Sequence, residues 1–182
     1  ATKNNVLNPS SLVVPTISAQ SPSTLDVCVG EPISLFVTAN GNGNGDLNYQ
    51  WQKGGVDITG ETTENLNVAI SVASDAGVYQ CVITDDDGST TSASTTVSVN
   101  SLPTVNITGD LIICEGQTTT LTATGALNYD WGSGFTNQAS FDVAPSVSST
   151  FTVIGEDSAG CTASASVLVE VSPTPNASVT SN

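Results

Sequence analysis

A chain of 182 residues is enough for one large domain or two small ones. Only 2 Lys and Arg stand against 17 Asp and Glu, so the formal charge is −15 and there is no His at all. That balance excludes nucleic acid and anionic membrane surfaces as partners, because both need a basic patch. It also removes the imidazole on which most acid–base catalysis and many metal sites depend. Hydrophobic residues still make up 38% of the chain, too many for a disordered acidic tail. Four Cys without His cannot form a Cys2His2 zinc site, and no Cys-x-x-Cys pair occurs, so disulfides and an oxidising compartment are expected. The N-terminal Ala1-Thr2-Lys3-Asn4-Asn5 has no apolar core of a signal peptide, and no run approaches 18 apolar residues. The expectation is a processed or excised piece that does not span a membrane.

In chain order, residues 1–14 form an apolar arm, Val6-Leu7 to Val13-Val14, read as an N-terminal arm or the end of a preceding module. From there the apolar residues recur with period 2. Ile33, Leu35 and Val37 alternate with Ser34, Phe36 and Thr38, and Thr95 to Val99 and Val167 to Val171 behave likewise. Asn-Gly, Asp-Gly and Ala-Gly turn signals punctuate these strands every 8 to 12 residues, the spacing of a β-sandwich. The chain then repeats itself. Cys28-Val-Gly30 with Leu35 matches Cys114-Glu-Gly116 with Leu121, and each leads to a Tyr-x-Trp, at Trp51 and Trp131. Tyr79 to Val99 aligns without a gap to Phe151 to Val171. The seam falls at Asn100-Ser101-Leu102-Pro103, where Pro stops the strand ladder. The predicted architecture is all-β, with two tandem sandwiches at 15–100 and 103–172, the second smaller, and a linker at 173–182. The first repeat carries the run Asn40 to Gly45 as an insertion, read as an extended solvated hairpin with a ligand-contacting loop as the alternative.

Trp51 followed by Asp75-Ala-Gly77-Val-Tyr79-Gln-Cys81 resembles an immunoglobulin-superfamily domain of the I-set type. Trp51, Tyr79, Trp131 and Phe151 are read as core residues, the two Trp as packing of the third strand with sugar-stacking platforms as the alternative, and the resemblance implies that the Tyr79 hydroxyl bonds a nearby backbone group. Phe151 cannot do so. In both repeats the usual second-strand Cys is replaced, by Val37 and Ala123, and a Cys sits nine residues earlier. That displaced Cys-x-Gly, with Asp157-Ser-Ala-Gly160-Cys161, resembles the tandem Ig-like and PKD-like modules of large Bacteroidetes surface adhesins exported by the type IX system. The resemblance implies a non-catalytic adhesion or spacing module on the cell surface. Its partners would be neighbouring modules, copies of itself, or a cell-surface or glycan ligand.

No His is present to serve a triad, and Lys3 and Lys53 stand in no recognisable dyad motif. Asp46, Asp85, Asp86 and Asp87 gather at one end of the first repeat as a candidate Ca²⁺ site, with a solvated Asp-rich turn as the plainer alternative. Asn106-Ile-Thr108 and Asn176-Ala-Ser178 are sequons, and Asp157-Ser158-Ala159 is similar to a Bacteroidetes O-glycosylation signal with Ser158 as acceptor. Separate small cores favour one disulfide per module, Cys28 with Cys81 and Cys114 with Cys161. A bridge from Cys28 to Cys161, or unpaired thiols, stays open, because four Cys allow three connectivities. The alternative functions are a carbohydrate-binding accessory region of a secreted hydrolase and a filament subunit that donates its arm strand. Both ends of the chain read like the internal seam, so a longer array is expected.

Overall fold

The computed structural model describes residues 13–41, 45–132, 134 and 136–173. The arm before Val13, residues 42–44 of the Asn-Gly insertion, Lys3, Asn176 and the terminal linker beyond Pro173 lie outside these. The described chain is all-β apart from one short 3-10 turn at Ala73–Asp75. It divides into two compact units, Ala1–Asn100 and Ser101–Asn182.

In the first unit a three-stranded sheet has the order β1 (Thr16–Gln20), β3 (Ile33–Asn40), β6 (Asn65–Val68). The facing sheet runs β2 (Thr24–Cys28), β9 (Thr95–Asn100), β7 (Gly77–Asp85), β4 (Asn48–Lys53), β5 (Val56–Asp57), with β8 (Gly88–Thr91) hairpinned onto β7. The period-2 pattern does what it predicts: Ile33, Leu35 and Val37 are fully buried, while Ser34, Phe36 and Thr38 face out. They pack with Trp51, Leu66, Tyr79, Cys81, Ile83 and Val97 between the sheets.

The second unit repeats the plan with fewer strands. One sheet is β10 (Asn106–Thr108), β12 (Thr119–Thr124), β14 (Ser140–Val143). The other is β11 (Ile112–Cys114), β16 (Thr162–Ser172), β15 (Ser149–Glu156), β13 (Asn128–Asp130). Leu121, Ala123, Tyr129, Val143, Val153 and Val169 are buried. The gapless alignment of the closing hairpins hides one difference. Thr162–Ser172 is a single strand, whereas its counterpart is broken between Thr91 and Thr95, where the Ser92 hydroxyl accepts from the Cys81 N–H.

Strand register overturns both expected disulfides. Cys28 is level with Asn100, whereas Cys81 lies two residues beyond Tyr79, which is level with Thr95. The two positions are thus separated by about seven residues, roughly 23 Å along the sheet. Cys114 is level with Ser172, at the opposite end of the strand that Cys161 precedes, roughly 36 Å away. A disulfide needs Cα atoms about 4.4–6.8 Å apart. Accordingly Cys81 and Cys114 are free thiols, the first buried and the second exposed, while Cys28 and Cys161 are each disulfide-bonded.

Candidate functional site

The predicted corner forms in the first unit. The Tyr79 hydroxyl donates to the Asp75 carbonyl at 2.6 Å, and burial followed by the Asp75 charge pushes its phenol above the ordinary tyrosine range. Lys53 completes the corner: its ammonium donates to the Ser74 carbonyl and lies 5.5 Å from the centre of the Tyr79 ring. In the second unit Phe151 is only half-buried against the core. A different tyrosine, buried Tyr129, supplies the hydroxyl clasp there, accepting from the Ala126 N–H and donating to the Ala126 carbonyl. The Tyr-x-Trp repeat contained that residue, but its hydroxyl partner lies three residues away in a loop that only folding positions.

Asp85 closes the β7–β8 turn by accepting from the backbone N–H groups of Asp87 at 2.9 Å and Gly88 at 3.1 Å. The Asp86 carboxylate packs on Gly45, where a Cβ would meet it at 2.7 Å. Among the described residues no group of three or more Asp, Glu or Cys is arranged to hold a metal ion. Asp46, Asp85, Asp86 and Asp87 thus form no assembled ligand set among the described residues; Asp85 spends Oδ1 on turn geometry, in which a carboxylate bonds the backbone two and three residues on, while its Oδ2 is buried without a hydrogen-bond partner. The same device recurs at Asp157, which accepts from Ala159 and Cys161 N–H and leaves Ser158 exposed at the turn.

The two tryptophans part company. Trp51 is 2% exposed, its Nε1 donates to the Thr63 carbonyl at 2.9 Å, and its backbone bonds Ile58 and Glu61. Those partners all belong to the loop that follows β5. From Trp131 to β14 the chain has five residues fewer than from Trp51 to β6, and the second unit has no strand corresponding to β5 among its described residues. Trp131 is consequently half-buried rather than a core residue, although it packs against both apolar clusters of its unit, and its Nε1 is sealed from solvent without an acceptor. Its ring stacks on Phe141 with centroids 5.4 Å apart and planes 17° from parallel. Beside this pair lies a cavity of about 170 Å³ lined by Tyr129, Trp131, Thr136, Gln138, Ser140 and Phe141, with no charged group among the described lining residues. Chain length between strands, more than residue type, marks this slot in the sequence.

The chain belongs to the immunoglobulin-domain family, whose family model matches residues 6–99. The solved immunoglobulin domains 1–4 of Sidekick-1 are similar at 16% identity over 87% of this chain, with a TM-score of 0.52. This chain covers 48% of that one. Titin domains z1z2, solved in complex with telethonin, share 14% identity over 90% of this chain and 98% of theirs at a TM-score of 0.45. Fibronectin(III)-like modules of Clostridium thermocellum CbhA share 18% identity over 92% of this chain and 100% of theirs at 0.46. No curated protein matches the chain. No helix among the described residues is long and apolar enough to cross a membrane.

Proposed function

We propose that this chain is a non-catalytic adhesion or structural module working outside the cell, part of a surface adhesin or filament of the kind found in large Bacteroidetes proteins. The observation that carries the reading is the duplication of one immunoglobulin-like plan. In each unit a Cys ends a strand that pairs in parallel with the unit's last strand, Cys28 beside Asn100 and Cys114 beside Ser172. A duplicated module conserves a scaffold and leaves its exposed faces to contact partners. The disulfide-bonded Cys28 and Cys161 support an oxidising setting, and the acid excess supports solubility over membrane or nucleic-acid contact. Copies of itself, neighbouring immunoglobulin-like modules and a cell-surface glycan are the partners this reading proposes, and Ser158 on its exposed turn is the proposed acceptor of an O-linked glycan.

Antibody against the 182 residues, applied to intact cells of the source organism, should label the surface, and external protease should remove the label. Labelling only after permeabilisation would refute the extracellular reading. The intact mass of natural material reports whether Ser158 carries a glycan, and Ser158→Ala removes that increment if it does.

A further inference from the structure

We infer that the slot beside Trp131 and Phe141 is a binding site for one ring of a neutral sugar. The inference rests on the proposed role as a surface-binding module and adds the ligand class and its location. Three observations carry it.

The slot exists because a covering segment is missing. In the first unit the loop after β5 bonds the Trp51 backbone and satisfies its N–H. The shorter second unit leaves Phe141, an inward-facing residue of β14 in register with buried Leu121, 38% exposed at the open edge of the sandwich. An aromatic pair turned inward yet reachable from outside is a stacking platform for an apolar ring face.

The size fits a ring and exceeds a water. A single water needs roughly 10–15 Å³ of such space, whereas the cavity holds about 170 Å³.

The polar lining is neutral and hydrogen-bonding. The Gln138 side-chain amide has no partner among the described residues, whereas the Thr136 hydroxyl accepts from the Gln138 N–H and the Ser140 hydroxyl pairs with Thr122, so Gln138 supplies the free donor and acceptor of the lining. Hydroxyl groups at the rim of a sugar ring match such donors and acceptors. A cation would find no carboxylate among the described lining residues, and an anion would meet a chain of charge −15.

An extended peptide is the competing occupant: β14 has no strand on its outer side among the described residues and leaves that edge open to one, whereas the edge of β13 is taken at Tyr129. Tyr129 of β13 already exchanges both backbone hydrogen bonds with Thr136, at 2.6 and 3.0 Å, so a partner strand cannot add there. The Trp131 Nε1 is itself closed off, so the ligand meets the ring and the N–H serves as a reporter.

The test titrates the ¹⁵N-labelled 182-residue chain with glucose, galactose, mannose and N-acetylglucosamine at millimolar concentrations, following the two indole N–H signals, assigned with Trp131→Phe. At least one sugar should shift the Trp131 signal saturably and leave Trp51 unmoved. Gln138→Ala, a surface change that spares the core, should weaken that binding at least several-fold. The inference is overturned if no sugar moves the Trp131 signal, if Gln138→Ala binds unchanged, or if tetramethylammonium or an extended peptide occupies the slot instead. Saturable sugar binding by a protein found only inside cells would sink the surface-module reading and leave the slot standing. Surface exposure without any sugar response would do the reverse.

Discussion

At Cys81 a thiol occupies a place where immunoglobulin sandwiches commonly hold half of a bridge, and its environment shows what that costs. Burial pushes the thiol up to about 11 from its ordinary 9.0, because the low-dielectric core opposes the thiolate. The folded value lies above the unfolded one, so the stabilising contribution is complete below pH 9 and is lost as pH rises towards 11. Chemical denaturation between pH 8.5 and 11 should therefore show stability falling with pH more steeply in the natural chain than in Cys81→Val, since Tyr49 and Tyr79 titrate late in both. Equal slopes would mean that the thiol is not desolvated. Exposure divides the two free thiols as well. A thiol-specific chromogenic reagent should count one fast-reacting thiol, Cys114, in the native chain, and Cys81 only after unfolding. Two fast thiols, or none, would contradict the arrangement.

Corners and turns carry the element-scale energetics. The Tyr79 hydroxyl makes one partly buried hydrogen bond, so Tyr79→Phe should lower stability by about 0.5–1.5 kcal/mol in urea denaturation. Phe151→Tyr should not gain a comparable amount, because Tyr129 already holds the clasp of the second unit. Gly125 offers a sharper case. Its φ is +96°, and a Cβ there would stand 1.8 Å from the Thr104 carbonyl oxygen. Gly125→Ala should consequently destabilise the chain by well over the ~1 kcal/mol typical of point changes. A neutral result would show that the loop can move aside. Strand alternation in β3 and β9 was legible because the period-2 pattern needs only local sequence and one buried face. The half-exposure of Trp131 was not, since Trp51 and Trp131 sit in the same Tyr-x-Trp context and differ only in what a distant loop lays over them.

Across the whole molecule, 17 acidic residues face 2 basic ones, and several carboxylates are used as acceptors for backbone N–H groups at turns, as at Glu31, Asp75, Asp85 and Asp157. Hydrogen bonding of this kind anchors loops without cations, yet it leaves a net self-repulsion that screening relieves. The melting temperature should rise between low salt and about 0.5 M NaCl, where the Debye length shrinks to a few ångströms. A flat or falling response would show that the repulsion is negligible. Lys53 is one of the two basic residues, and its side chain is held at the Tyr79 corner. Native chain should therefore resist trypsin at Lys53 far longer than reduced, unfolded chain.

What the sequence determined by itself was the class of fold, the duplication and the corner, because each rests on residues close in the chain: alternation within strands, Gly-marked turns, and the Asp-x-Gly-x-Tyr spacing that brings a hydroxyl back to a carbonyl four residues upstream. Tertiary structure decided which cysteines can meet, whether a run of Asp converges on a point, and which tryptophan is covered. These depend on register and on loop length between strands. A shift along a sheet of about 3.3 Å per residue separates Cys28 from Cys81 by far more than a disulfide can span. Five residues fewer after Trp131 open a slot that no local pattern announces.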